Sequence, residues 1–92
     1  MEQKLRVWWI PQVPMKPFNV EVANLEQAHL LLDTLAEYDR FQLDNRIKPD
    51  YSNTGGLQVW EDNEWVDWYG ENGEDFDEWR KENLPRNVFP EN

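Results

Sequence analysis

The chain has no cysteine, so a disulfide framework, a thiolate metal site and a thiol nucleophile are all excluded. Its one histidine, His29, rules out a metal centre built from several imidazoles of a single chain. No stretch approaches the roughly 18 consecutive apolar residues that a membrane-crossing helix needs. Met1 to Ile10 lacks the charged start, apolar run and small-residue cleavage site of a signal peptide. These gaps predict a cytoplasmic protein with no membrane insertion. Positive charge is scarce too: nine Lys plus Arg stand against 19 Asp plus Glu, a net charge of −10. Gripping a phosphate backbone demands clustered Lys and Arg, so direct nucleic-acid binding is not expected. At 92 residues the chain has room for one domain and a small core. What it has in abundance is aromatic area, with six Trp, three Tyr and four Phe. Each buries roughly 150–250 Å², which fills a small core efficiently.

Lys4 to Ile10, KLRVWWI, is β-branched and aromatic and reads as a strand that stops at Pro11. Three prolines between Pro11 and Pro17 make the next stretch stiff and extended. Lys16 within it suits either a recognition loop or a constrained crossover between strands. Phe18 to Val22 alternates cleanly, with Phe18, Val20 and Val22 expected inward. Asn24 is a good N-cap with Gln27 three residues on. Leu25, Ala28, Leu32, Leu35 and Ala36 then repeat at helical spacing, widened by Leu31 and Tyr38. The spacing predicts a helix from Leu25 to about Tyr38, with room for another turn through Leu43. Glu26, Asp33, Glu37 and Arg40 form its polar side. Asn45 to Gly56 is rich in turn formers and reads as a loop.

Leu57–Glu61 and Glu64–Tyr69 flank Asp62-Asn63, which suggests a tight hairpin. In that register Glu61 faces Glu64 and Trp60 faces Trp65. Leu57, Val59, Val66 and Trp68 then share the core face, and Gln58, Trp60, Trp65 and Asp67 share the other. A short helix is expected from about Asp75 to Asn83, with Phe76 and Trp79 on one side. The expected architecture is α+β and two-layered. A four-stranded antiparallel sheet in the chain order strand, strand, helix, strand, strand carries one long helix on one face, and a short C-terminal helix follows. The expected division is a single domain over 1–83 and a loose tail over 84–92.

Two constellations bear on function. Ten acids lie between Glu61 and Glu82, opposed only by Arg80 and Lys81, so this window holds eight of the ten net negative charges. A solvated acidic surface explains them, and so does complementarity to a basic partner or mimicry of a nucleic acid's charge. Asp75, Asp77 and Glu78 lack the spacing of a calcium loop, so no metal or cofactor is expected. The second constellation is the outer sheet face. If Leu5, Val7 and Trp9 meet the helix, then Arg6, Trp8 and Ile10 point away together with Trp60 and Trp65. That face is either covered by a C-terminal segment carrying Phe76 and Trp79, or engaged by a partner protein or a second copy in a homodimer, or a stacking platform for a small ring. His29 lies beside the apolar stripe and reads as a packing or surface residue. Carboxylates are so abundant that no pair of them marks an acid–base site, and the chain is not expected to be an enzyme.

The run Arg6-Val7-Trp8-Trp9-Ile10-Pro11-Gln12-Val13-Pro14-Met15-Lys16-Pro17-Phe18 is distinctive. So are Leu32–Asp39, Ile47–Asn53, Gly55-Gly56-Leu57 and Trp60-Glu61-Asp62 with Glu64-Trp65. Together these resemble a family of small acidic bacteriophage proteins labelled superinfection exclusion, over roughly residues 4 to 69. The resemblance implies a phage accessory protein of exclusion or counter-defence type, acting in the host cytoplasm by stoichiometric binding to a host or phage protein. The expected contacts are Trp8, Trp60 and Trp65 as anchors, with Glu61, Asp62, Glu64, Asp67, Asp75, Asp77 and Glu78 steering a basic partner surface. An acidic nucleic-acid mimic and a small-molecule binder remain alternatives.

Overall fold

β1 (Leu5–Ile10) alternates buried and half-exposed residues along its whole length. Leu5, Val7 and Trp9 go into the core, and Arg6, Trp8 and Ile10 lie on the other side. The computed structural model describes residues 3–90. β1 pairs antiparallel with β2 (Phe18–Val22) on one side and with β3 (Thr54–Glu61) on the other. β3 in turn pairs with β4 (Glu64–Asp67), giving the sheet order β2-β1-β3-β4. Two helices, α1 (Leu25–Asp44) and α2 (Phe76–Asn83), complete the α+β fold. The core gathers Leu5, Val7 and Trp9 with Leu57, Val59, Ala28, Leu32, Trp68 and Phe76.

α1 starts where its cap residues place it. The Asn24 side chain accepts from the Gln27 N–H at 2.8 Å, and the Gln27 carboxamide accepts from the Ala23 N–H. The helix runs six residues past Tyr38, to Asp44. Tyr38 does not widen the buried stripe: it is 56% exposed and stacks on Phe41 at 6.4 Å. Phe18 is a second departure, at 60% exposure. It shares the core side with Trp9, its partner in register, but β2 is the sheet edge and α1 does not cover that corner.

The hairpin forms in the expected register, with Trp60 opposite Trp65 and Glu61 opposite Glu64. Asp62 and Asn63 both take positive φ, at 50° and 66°, the conformation a two-residue turn with the right strand twist requires. β3 begins three residues before Leu57, so Thr54, Gly55 and Gly56 are strand and not loop. The reason is close approach. A Cβ on Gly55 would stand 2.3 Å from the Trp9 ring, and one on Gly56 would stand 2.7 Å from the Trp8 indole nitrogen. The two glycines let one indole lie against each face of the sheet.

The proline-rich connector is braced by the loop that precedes β3. Val13 N–H donates to the Ser52 carbonyl at 2.8 Å, and the Gln12 amide donates to Asp50 at 2.6 Å. After α2 the chain has no regular structure, yet it is tethered: the Pro85 carbonyl accepts from His29, and the Asn87 amide donates to Asp33. Residues 91 and 92 of the tail expected over 84–92, and residues 1 and 2 of the domain, lie outside the described residues.

Candidate functional site

Side-chain alternation sets the outer face of the sheet. Arg6 pairs with Gln58 and Trp8 with Gly56, while Gln58 pairs with Asp67 and Trp60 with Trp65, so these residues share one side. Trp60 and Trp65 meet edge to face, with centroids 5.3 Å apart and an interplanar angle of 69°. This is a favoured aromatic geometry, and the strands preset it. The Arg6 guanidinium sits 4.4 Å from the Trp65 centroid, and its Nε donates to Gln58 at 2.8 Å. Lys4 places its ammonium 5.7 Å from both indoles and 3.3 Å from Glu21. Trp60 remains 41% exposed, and Trp8 and Trp65 are half-buried.

Most of the acids do not lie beside the Trp60–Trp65 pair, although Asp67, Asp75 and Asp77 line a cleft together with Trp8. Of the seven expected to steer a partner from around the indoles, only Asp67 shares their face. Glu61 and Glu64 are one residue out of phase with Trp60 and Trp65, so they take the opposite side. Asp62 is in the turn. Asp75 caps α2, accepting from the Glu78 N–H at 2.9 Å, and Asp77 accepts from Arg80 at 3.1 Å. Glu78 belongs to the first turn of α2, where an acid suits the helix dipole. The charged groups that lie over the Trp60 and Trp65 rings are the cations Lys4 and Arg6. Their shared parity with Trp8 was the sequence signal for this.

The C-terminal segment does not cover the outer face with Phe76 and Trp79. Both rings pack on Trp68, at 5.6 Å each, on the helix side of the sheet. Docking of α2 there is reinforced at its seam with α1. Arg80 reaches Asp33 at 2.5 Å and donates to His29 Nδ1 at 3.2 Å, while His29 Nε2–H donates to the Pro85 carbonyl at 2.8 Å. Asp33, expected on the solvent side of α1, is thus engaged. Burial pushes its carboxyl up, but the hydrogen bonds from Asn87 and Arg80 and the charge of Arg80 outweigh that and hold it below the ordinary Asp range. A depressed folded-state pKa stabilises fully above the unfolded value, about 3.9, and the stabilisation is lost as pH falls through the folded value. Urea unfolding between about pH 5 and pH 2 should therefore show a steeper acid loss for wild type than for Asp33→Asn. Parallel curves would contradict the seam as described.

Asp39 was missed by sequence reasoning. It lies seven residues after Leu32, on the buried stripe of α1, and is 3% exposed. Its carboxylate accepts from the Trp9 indole N–H at 3.0 Å and from the Asn53 amide at 3.0 Å, and it faces the Lys48 ammonium at 3.4 Å. Lys48 also donates to the Pro11 carbonyl. A charge on an apolar stripe was the available signal. Its role is to lock α1, β1 and the loop before β3 to one another, and so to hold Trp8 and Trp9 in place.

Among the described residues no helix is long and apolar enough to cross a membrane. A family model described as superinfection exclusion gene product 17 matches residues 4–85. A superinfection exclusion protein of Salmonella phage P22 is 52% identical to this chain, with 74% of this chain and 79% of that protein covered. No solved structure matches.

Proposed function

The chain belongs to the superinfection exclusion gene product 17 family, and from that membership we propose that it is a phage accessory protein of exclusion or counter-defence type that works by stoichiometric binding to a host or phage protein. The site is the outer sheet face. The observation that carries the reading is the edge-to-face Trp60–Trp65 pair, with Trp60 41% exposed, on the same sheet face as half-buried Trp8. An indole left this exposed and held against a second one is a typical anchor of protein interfaces. The strand register presets the rings, so little side-chain entropy is lost on binding.

The protein acts as a binder and not as an enzyme. Its lone histidine is engaged at both ring nitrogens, by Arg80 and by Pro85, which leaves no lone pair free to take a proton from a substrate. The site of action is the host cytoplasm. A tagged chain should enrich a partner from host lysate and should lose it on Trp60→Ala plus Trp65→Ala. Mimicry of a nucleic acid's charge is the second reading, favoured by the groove of about 580 Å³ that Glu71, Glu74 and Glu82 help to line. Salt separates the two. Mimicry predicts a complex that collapses as salt rises and yields to added DNA or RNA, whereas indole anchoring predicts one that persists.

A further inference from the structure

β3 is longer than its partner β4. Its pairing with β1 continues to Ile10↔Thr54, but its pairing with β4 stops at Gln58↔Asp67, followed by a single bond from the Trp68 N–H to the Leu57 carbonyl at 3.0 Å. Thr54 to Gly56 therefore have β1 on one side and no strand on the other. Backbone groups alternate sides along an antiparallel strand, so the N–H and carbonyl of Gly55, two residues before Leu57, aim at this open edge. A cleft of about 260 Å³ runs along it, because the chain leaves the sheet at Trp68 and crosses to the Tyr69–Asp75 bridge. Trp8, Tyr69, Asp67, Asp75 and Asp77 are among its walls. Asp75 and Asp77 already hold α2, but Asp67 has no hydrogen-bonding or ion-pairing partner among the described residues, and the Trp8 indole N–H has no acceptor among them.

We propose that this edge takes an extended segment of the partner protein that carries Lys or Arg. The segment adds a strand to β3 by pairing with the backbone of Gly55, where the absence of side chains at Gly55 and Gly56 leaves the edge clear. One of its cationic side chains enters the cleft, with its charge against the free Asp67 carboxylate, in the field of Asp75 and Asp77, and its methylenes along Trp8. Charge complementarity selects this occupant. Three carboxylates flank an edge with no cation among the residues that line the cleft, in a chain of net charge −10. This inference rests on the protein-binding reading above and specifies the chemistry of the partner.

The test titrates the isotope-labelled full chain with a short alternating lysine–valine peptide and with its glutamate–valine counterpart. The lysine peptide should shift the Gly55 and Leu57 amides and slow their hydrogen exchange. The glutamate peptide should do neither. Asp67→Lys plus Asp77→Lys should weaken binding at least about tenfold, and Asp67→Asn alone should weaken it by less. Absence of binding, equal binding of both peptides, or binding untouched by charge reversal would overturn the inference. Capture of a lysate partner that survives charge reversal but is lost in Trp60→Ala plus Trp65→Ala would overturn it while leaving the proposed function standing.

Discussion

Asp39→Ala should cost about 3–5 kcal/mol of folding stability, the loss typical of removing one member of a buried ion pair. The Lys48 side chain is only 10% exposed, and the substitution leaves its ammonium with the Pro11 carbonyl but no counter-charge and removes the acceptor of the Trp9 indole N–H and the Asn53 amide. For a domain of this length, each kcal/mol shifts the melting temperature by roughly 4–8 °C, so a fall of at least about 12 °C is expected. Asp39→Asn keeps an acceptor for Trp9 and Asn53 and should cost less. Replacing both charges, as Asp39→Leu with Lys48→Met, should recover part of the loss, because no uncompensated charge is then left buried. Thermal and urea unfolding measure all three. A change below about 1 kcal/mol for Asp39→Ala, the size of an ordinary exposed pair, would show that the carboxylate is not the lock described.

Trp60→Ala plus Trp65→Ala should separate binding from folding. Interface anchors of this type cost about 2 kcal/mol or more each when truncated, so the pair should weaken partner affinity at least about 100-fold. The stability loss should be much smaller. Trp60 is 41% exposed, and a cross-strand aromatic pair stabilises a sheet by only about 0.2–1 kcal/mol relative to alanine. Neither ring belongs to the core, which α1 and α2 build on the other side of the sheet. Circular dichroism with urea unfolding measures one effect, and partner binding by calorimetry the other.

The parts of the fold that follow local rules were legible in the residues. Alternation in Leu5–Ile10 and in the Trp60–Trp65 hairpin gave the strand faces, and Asn24 with Gln27 gave the start of α1. What escaped depended on tertiary neighbours. Gly55-Gly56 carries the local signature of a turn, and only the indoles on either side of it make a glycine strand necessary. Phe18 alternates as a core residue would, but the end of an edge strand has nothing over it. The sequence assigns Asp39 no role because its partners come from residues 9, 48 and 53.

The candidate site divided in the same way. Parity put Trp8, Trp60 and Trp65 on one face. Acid density near the hairpin was no guide to which face the acids take, since Glu61 and Glu64 are out of phase with the indoles and Asp75 and Asp77 are committed to α2. Lys4 and Arg6 are the charged residues that meet the rings.

The most direct test of the outer face as the binding surface compares two double variants in the same capture from host lysate. Trp60→Ala plus Trp65→Ala removes the indole pair. Tyr38→Ala plus Phe41→Ala removes an exposed stacked pair of aromatics on the far side of α1. The partner enriched by wild type should be lost by the first and kept by the second, with both variants folded by circular dichroism. Retention by the first together with loss by the second would place the binding surface on α1 and contradict the account.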